Sequence, residues 1–298
     1  MQRGIASCHT ALRALVLLAL AILGSAAASS RPRWPLPDAA LQVLALPPAQ
    51  DGDVGIRRKP RIYIDPGHGA PRGNTGNTSC VCESEEVFNA RTAEKLYRGL
   101  AATGRFELKL SRKQGQTRAY QARVREAEAW GADVLLGIHS DCRGELVYCA
   151  ADGGQSCPCS GESHDAAGFS LLYSDEDPEL TGRRLGLAQA LARRMKEAGF
   201  LPYDGAEYVP YLYESDDVEG SFVDRHSPGR RIYMLRKPRL ASVIVETHHA
   251  SDPEERQRWE EPRTHEAFAA AVAAAVLDLQ AHQGSAQEPG QLPSARAP

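Results

Sequence analysis

The period of the hydrophobic positions changes repeatedly along the chain. Arg61-Ile-Tyr-Ile-Asp65 is a short apolar run closed by Pro66-Gly67, which predicts a strand ended by a turn. Over 85–103, Val87, Ala93, Leu96, Tyr97 and Leu100 recur at helical spacing. Phe106–Leu110 predicts a strand, and 117–130, through Tyr120, Val124, Ala127 and Trp130, a helix. Asp133–Ile138 and Phe169–Tyr173 are nearly continuous apolar runs and predict buried strands. Asp177-Pro178 reads as an N-cap followed by proline in the first turn. The helix it opens carries Leu180, Leu187, Leu191 and Met195 and ends at Gly199. Ser242–Glu246 predicts a further strand, and 263–281, through Phe268, Val272, Val276 and Leu279, a last helix. Short apolar strands alternating with helices predict an α/β fold: a single domain with a mostly parallel twisted sheet and helices on both faces.

The ends of the chain read differently. Residues 1–28 carry Arg3 and Arg13, the apolar run Ala14–Leu23, and Ala26-Ala-Ala28, the pattern of a cleavable signal peptide. The run is shorter than the roughly 20 apolar residues a membrane span needs. Residues 29–58, rich in Pro, Ala and Arg, read as a linker or N-terminal arm. The folded domain is expected at 59–282 and a flexible tail at 283–298. The expected mature protein is exported, periplasmic or extracellular, with no membrane span left after cleavage. With 35 Lys+Arg against 38 Asp+Glu, the net charge of −3 argues against a nucleic-acid partner.

Export changes the reading of the cysteines. Beyond Cys8 there are six: Cys80, Cys82, Cys142, Cys149, Cys157 and Cys159. An even number in an oxidising compartment predicts disulfides, with the pairing open. A zinc site from the two Cys-x-Cys pairs has the wrong spacing. Bridges between segments are expected over strained bonds within a Cys-x-Cys pair.

Three predicted strands end in groups able to bind metal or move protons: Asp65-Pro-Gly-His68-Gly69, Ile138-His139-Ser140-Asp141, and Val243-Ile-Val-Glu246. In open parallel sheets, ligands collect beyond the carboxyl ends of the strands. Two histidines and a glutamate can therefore converge there, joined by Glu83, Glu85 or Glu86 from the start of the first helix. Catalytic zinc takes three protein ligands, often two His and one Glu, and keeps a position for water. A second carboxylate can then move the proton.

The segments IDPGHGA (64–70), ARTAEKL (90–96), LSR (110–112), ARVREAEAWGADVLLGIHSD (122–141) and ASVIVETHHASDPEE (241–255) resemble the zinc-dependent N-acetylmuramoyl-L-alanine amidases of the amidase-3 type. The resemblance spans nearly all of 61–281. It implies a peptidoglycan amidase that hydrolyses the amide between N-acetylmuramic acid and the L-alanine of the stem peptide, with one zinc ion per chain. It implies His68, Glu85 and His139 as the metal ligands and Glu246 as the catalytic glutamate that passes the proton to the departing amine. An activator protein is left open.

The chain departs from the family pattern in places. His248 and His249 stand where the family has Gly and an apolar residue; they read either as groups that contact substrate or tune Glu246, or as ordinary polar loop residues. Asp141 replaces a commoner Asn. An insert at about 142–166 holds four of the cysteines and has no helical period. A bridge from Cys80 or Cys82 to this insert would hold the loops of two ligands together. Arg112 and Arg123 read as structural ion-pair residues. Tyr208, Tyr211 and Tyr213, among acidic residues, mark a loop that reads either as the lining of a glycan or peptide groove or as an ordinary mobile loop. His164, His226 and His265 read as surface residues. Two competing functions share the site residues: a zinc peptidase cutting within the stem peptide, and a non-catalytic wall-binding homologue. The second is disfavoured because candidates for all four functional residues are present.

Overall fold

Alternate residues of the central strands enter different cores in the computed structural model, which describes residues 58–285 except 151–153, 155, 161–165 and 210. The signal segment, nearly all of the arm, most of the tail and His164 lie outside the described residues. In β1 (Arg61–Pro66), Ile62 and Ile64 join one cluster and Tyr63 joins another on the opposite face. Both faces of the sheet are thus covered, which is why the strands read as continuous apolar runs.

Along the chain follow α1 (Glu85–Ala102), β2 (Glu107–Leu110), α2 (Tyr120–Trp130) and β3 (Val134–Asp141). Next come β4 (Leu146–Ala150), β5 (Ser156–Ser160), β6 (Ser170–Tyr173) and α3 (Pro178–Glu197). The remainder is β7 (Tyr213–Ser215), β8 (Ser221–Asp224), α4 (Tyr233–Arg236), β9 (Ala241–His249), α5 (Pro253–Glu260) and α6 (Pro262–Ser285). The main sheet has seven strands in the order β2-β1-β3-β9-β6-β8-β7. Strands β2, β1, β3 and β9 are parallel, β6 runs antiparallel to β9, and β7 antiparallel to β8. The expected α/β sheet is present, and its far edge is mixed.

Local chemistry explains the helix ends. The Asp177 carboxylate accepts from the Glu179 N–H at 3.0 Å, capping α3 as its sequence predicts. Gly131 closes α2 at φ 71°, a left-handed position that costs glycine little. Helix α6 is apolar nearly all round because α1 and α3 cover it. Small residues permit this approach: a methyl on Gly99 of α1 would crowd Ala269 of α6 at 2.7 Å.

The insert after His139 forms the hairpin β4–β5, which the sequence pattern does not announce. Its strands, LVYCA and SCPCS, have weak alternation, and Pro158 is tolerated only because β5 is an edge strand. Two disulfides hold it. Cys149–Cys159 ties its strands, with Cα atoms 5.8 Å apart. Cys82–Cys157, with Cα atoms 5.7 Å apart, ties it to the loop that leads into α1. The expected bridge between that loop and the insert is therefore present. No helix among the described residues is long and apolar enough to cross a membrane.

Candidate metal centre

The first strand end is held from below by two arginines. The Arg123 guanidinium is fully buried; it pairs with Asp65 at 3.2 Å and donates to the carbonyls of Pro66 at 3.0 Å and His68 at 2.5 Å. Arg112 donates to the Gly67 carbonyl at 2.6 Å and to that of Pro66 at 3.2 Å. Arg112 also pairs with Glu86 at 3.4 Å, so both arginines form ion pairs, as their sequence context predicts, and together satisfy three carbonyls of the turn. Fixed in this way, His68 takes φ 59°, an uncommon left-handed position for a non-glycine residue.

Glu85 opens α1 and is buried. Its Oε1 lies 2.9 Å from His139 Nδ1 and accepts from Asn89 Nδ2 at 3.1 Å. Its Oε2 lies 2.9 Å from His68 Nε2 and accepts from the Asn77 N–H at 3.1 Å. Burial alone would raise this carboxyl, but the hydrogen bonds and charges of His139 and His68 hold it well below the usual range. The same partner raises His68 against the opposing effect of burial.

Three donor atoms, one each from His68, Glu85 and His139, lie within 4.8 Å of one another. Two imidazoles and one carboxylate are a donor set that suits a catalytic zinc and leaves one position open. The surrounding backbone is shaped to this cluster. A methyl on Gly67 would overlap the His139 ring, and one on Gly76 would overlap both Glu85 and His68. The residues present therefore fit a single metal ion.

Glu246 ends the apolar part of β9 directly opposite His139 of β3 and Ser170 of β6. Among the described residues its Oε2 is buried without a hydrogen-bond partner. Burial, with the negative charges of Asp141 and Glu85, pushes this carboxyl well above the usual range, and the Arg143 guanidinium opposes that. The four residues singled out from sequence thus lie together at the carboxyl ends of β1, β3 and β9 and the start of α1.

Sequence reasoning missed Arg143. Its buried guanidinium donates to Asp141 at 3.0 Å and to the carbonyls of Ala166 and Gly168 at 2.6 and 2.9 Å. It stacks on Tyr203 at 3.8 Å. Tyr208 donates to Asp141 at 2.7 Å and stacks against Tyr213 at 4.7 Å, while Tyr211 is exposed. An arginine after a cysteine in an insert carries no periodic signal, so these partners had no trace in the sequence.

For both unusual histidines the structure excludes one of the two readings, that of ordinary polar loop residues. A register shift in the β3–β9 ladder sets two residues, Thr247 and His248, opposite one, and the extra residue interrupts the alternation of faces. His248 is consequently buried between Phe88 and Trp259, at 4.8 and 5.7 Å between ring centroids. His249 is buried too, and its Nδ1 accepts from the Arg143 N–H at 3.3 Å. Neither is a polar loop residue. Nor is His265 on the surface: it is packed edge-on to Trp259, at 5.5 Å. His226 is half-buried and bonded to Asp224 at 2.8 Å.

A two-histidine, one-carboxylate cluster at the strand ends of a mostly parallel sheet suits a metal-dependent hydrolase. The family model for N-acetylmuramoyl-L-alanine amidase matches residues 62–278, and the chain belongs to that family. Solved structures agree in fold. The amidase Ami1 of Mycobacterium smegmatis is 18% identical, with a TM-score of 0.57 over 76% of this chain and 99% of that one. Ami1 of Mycobacterium abscessus is 16% identical, with a TM-score of 0.56 over 74% and 99%. An amidase of Clostridium difficile 630 is 20% identical, with a TM-score of 0.52 over 74% and 96%. No curated protein sequence matches the chain.

Proposed function

We propose that the protein is a zinc-dependent peptidoglycan amidase in which His68, Glu85 and His139 hold the ion and Glu246 is the catalytic carboxylate. The bond cut is the amide between the lactyl group of N-acetylmuramic acid and L-alanine of the stem peptide. The observation that carries this reading is the convergence of the three donors within 4.8 Å. When bound, zinc supplies Lewis acidity and lowers the pKa of water.

The chain's own residues supply the rest. Glu85 is kept anionic by His68, His139, Asn89 and the Asn77 N–H, so it offers charge as well as an oxygen. Glu246 has an unpartnered buried Oε2, free to accept a proton from the attacking water and return it to the leaving amine. Asp141, Arg143 and Tyr208 form a bonded cluster beside it that holds the adjoining backbone. The two disulfides suit an oxidising compartment, in keeping with export to the periplasm or cell exterior.

The test is a digest of purified peptidoglycan, with and without a chelator, read by mass spectrometry. Free stem peptides beginning at L-alanine, with unpeptided glycan, and their loss with the chelator, are expected. Shortened stems still attached to glycan would replace the amidase reading with a peptidase. Absence of product from zinc-loaded protein would mean either an enzyme inhibited until a partner binds or a wall-binding module.

A further inference from the structure

His68 has two ring nitrogens, and only one of them faces the cluster. Its Nε2 lies 2.9 Å from Glu85 Oε2, so an ion held there needs the Nε2 lone pair. A neutral imidazole carries its single proton on one nitrogen or the other. Whatever meets Nδ1 therefore decides whether Nε2 can coordinate.

Asn74 meets Nδ1. Its Oδ1 lies 3.2 Å from that nitrogen. The hydroxyl of Tyr120, the first residue of α2, donates to the same oxygen at 2.8 Å. An amide oxygen only accepts, so in this arrangement Nδ1 is the donor and the proton stays on the far side of the ring. Turned over, the amide would donate to Nδ1 and drive the proton onto Nε2, where it blocks a metal. The position of Asn74 does not depend on the ring. Its backbone carbonyl accepts from the Gly69 N–H at 2.8 Å, and a bridge to Ala70 closes the short turn after His68. Tyr120 is placed by its own neighbours, with the Arg123 guanidinium 4.8 Å from its ring.

We propose that Asn74, oriented by Tyr120, is a positioning residue that takes the Nδ1–H of His68 and so leaves Nε2 as the metal donor. This rests on the metal centre proposed above. Supporting partners of ligating histidines are worth roughly 10–100-fold in metal affinity.

The experiment is zinc affinity of the purified protein by competition with a chromophoric chelator, joined by long-range ¹H–¹⁵N NMR of the zinc-loaded histidines. Asn74→Leu should bind zinc about 10–100-fold more weakly than wild type. Asn74→Asp, which can only accept at this position, should restore binding to at least the wild-type level. Tyr120→Phe should show a smaller loss and serves as the test if Asn74→Leu fails to fold. In the wild type, NMR should find the His68 proton on Nδ1. Unchanged affinity in Asn74→Leu, equal losses in the Leu and Asp variants, or a proton on Nε2 would overturn the proposal. In the event that Asn74→Leu does not fold, unchanged affinity in Tyr120→Phe would overturn it. Wild-type protein that binds no zinc would instead overturn the metal centre itself.

Discussion

Gly67 lies against the imidazole of His139, so close that a methyl on its Cα would overlap the ring. Gly67 directly follows β1 and His139 lies in the adjacent parallel strand β3, and the two strands bring them together through the pairing of Pro66 with Ile138. Glycine here makes room for a ring rather than for an unusual dihedral. Gly67→Ala should therefore displace His139 and abolish or sharply weaken zinc binding, while the circular dichroism spectrum of the α/β fold is retained. Normal zinc content in that variant would show that the ring can move aside at no cost.

Glu246 stands opposite His139, with its Oε2 unpartnered among the described residues. Glu246→Gln keeps the shape and loses the proton carrier. The rate of peptidoglycan hydrolysis should fall on the order of 10²–10⁴-fold, the usual worth of general acid–base catalysis, with zinc retained. Zinc loss in this variant would make Glu246 a ligand.

Cys82 and Cys157 are 75 residues apart in sequence, and their bridge closes a long loop in the unfolded chain. Chain entropy assigns such a crosslink roughly 4 kcal/mol, against about 3 kcal/mol for a loop as short as that of Cys149–Cys159. Replacing Cys82 and Cys157 together with serine should lower the unfolding free energy in urea by that order. It should also weaken zinc binding, because Cys82 lies three residues before Glu85. Unchanged stability and affinity would mean that the hairpin is only an appendage.

Two buried groups should give opposite pH slopes. Burial, with the charge of Lys95, lowers His265 from 6.5 to about 4. The stability of its neutral form is present above pH 6.5 and is lost as pH falls through about 4. Burial raises Glu255 from 4.5 to about 7, against hydrogen bonds from the Gly168 and His249 N–H groups. Its contribution is present below pH 4.5 and is lost as pH rises through about 7. Urea unfolding across this range should show His265→Gln losing less stability in acid than wild type, and Glu255→Gln losing less towards neutrality. A variant with the wild-type slope would show that its residue does not titrate abnormally.

Arg143 and Asp141 form a pair whose arginine is almost wholly buried. Removing the cation leaves the Ala166 and Gly168 carbonyls, the Ser170 hydroxyl and the Asp141 carboxylate without it. Arg143→Leu should cost about 3–5 kcal/mol in unfolding free energy, the range found when one partner of a buried pair is deleted. A loss below about 1 kcal/mol would mean the site is wet enough to behave like a surface pair.

Much of this molecule was legible as period and punctuation. The runs at Arg61–Asp65 and Asp133–Ile138, the helical spacing from Val87 to Leu100, and the Asp177-Pro178 start each depend on residues near in sequence. Those elements are found where their patterns predict them. So were the positions of His68, His139 and Glu246, because parallel strands bring the residues at and near their carboxyl ends to one edge. The choice of Glu85 over Glu83 and Glu86 needed the family's register, and the fold explains it: Glu85 is buried facing both histidines, while Glu83 pairs with Arg91 and Glu86 with Arg112.

Sequence by itself determined the fold class, the strand ends and the donor types, all of which follow from local hydrophobic period and residue chemistry. Tertiary structure alone decided that β6 runs against β9, that the insert is a hairpin bridged to the Glu85 loop, and that an irregularity in β9 buries His248. It also brought Asn74 and Tyr120 to His68, and Arg143 to Asp141. These outcomes depend on strand pairing and on contacts between residues distant in sequence. Their energies come from burial and hydrogen bonds completed only when the segments meet, so no local pattern records them.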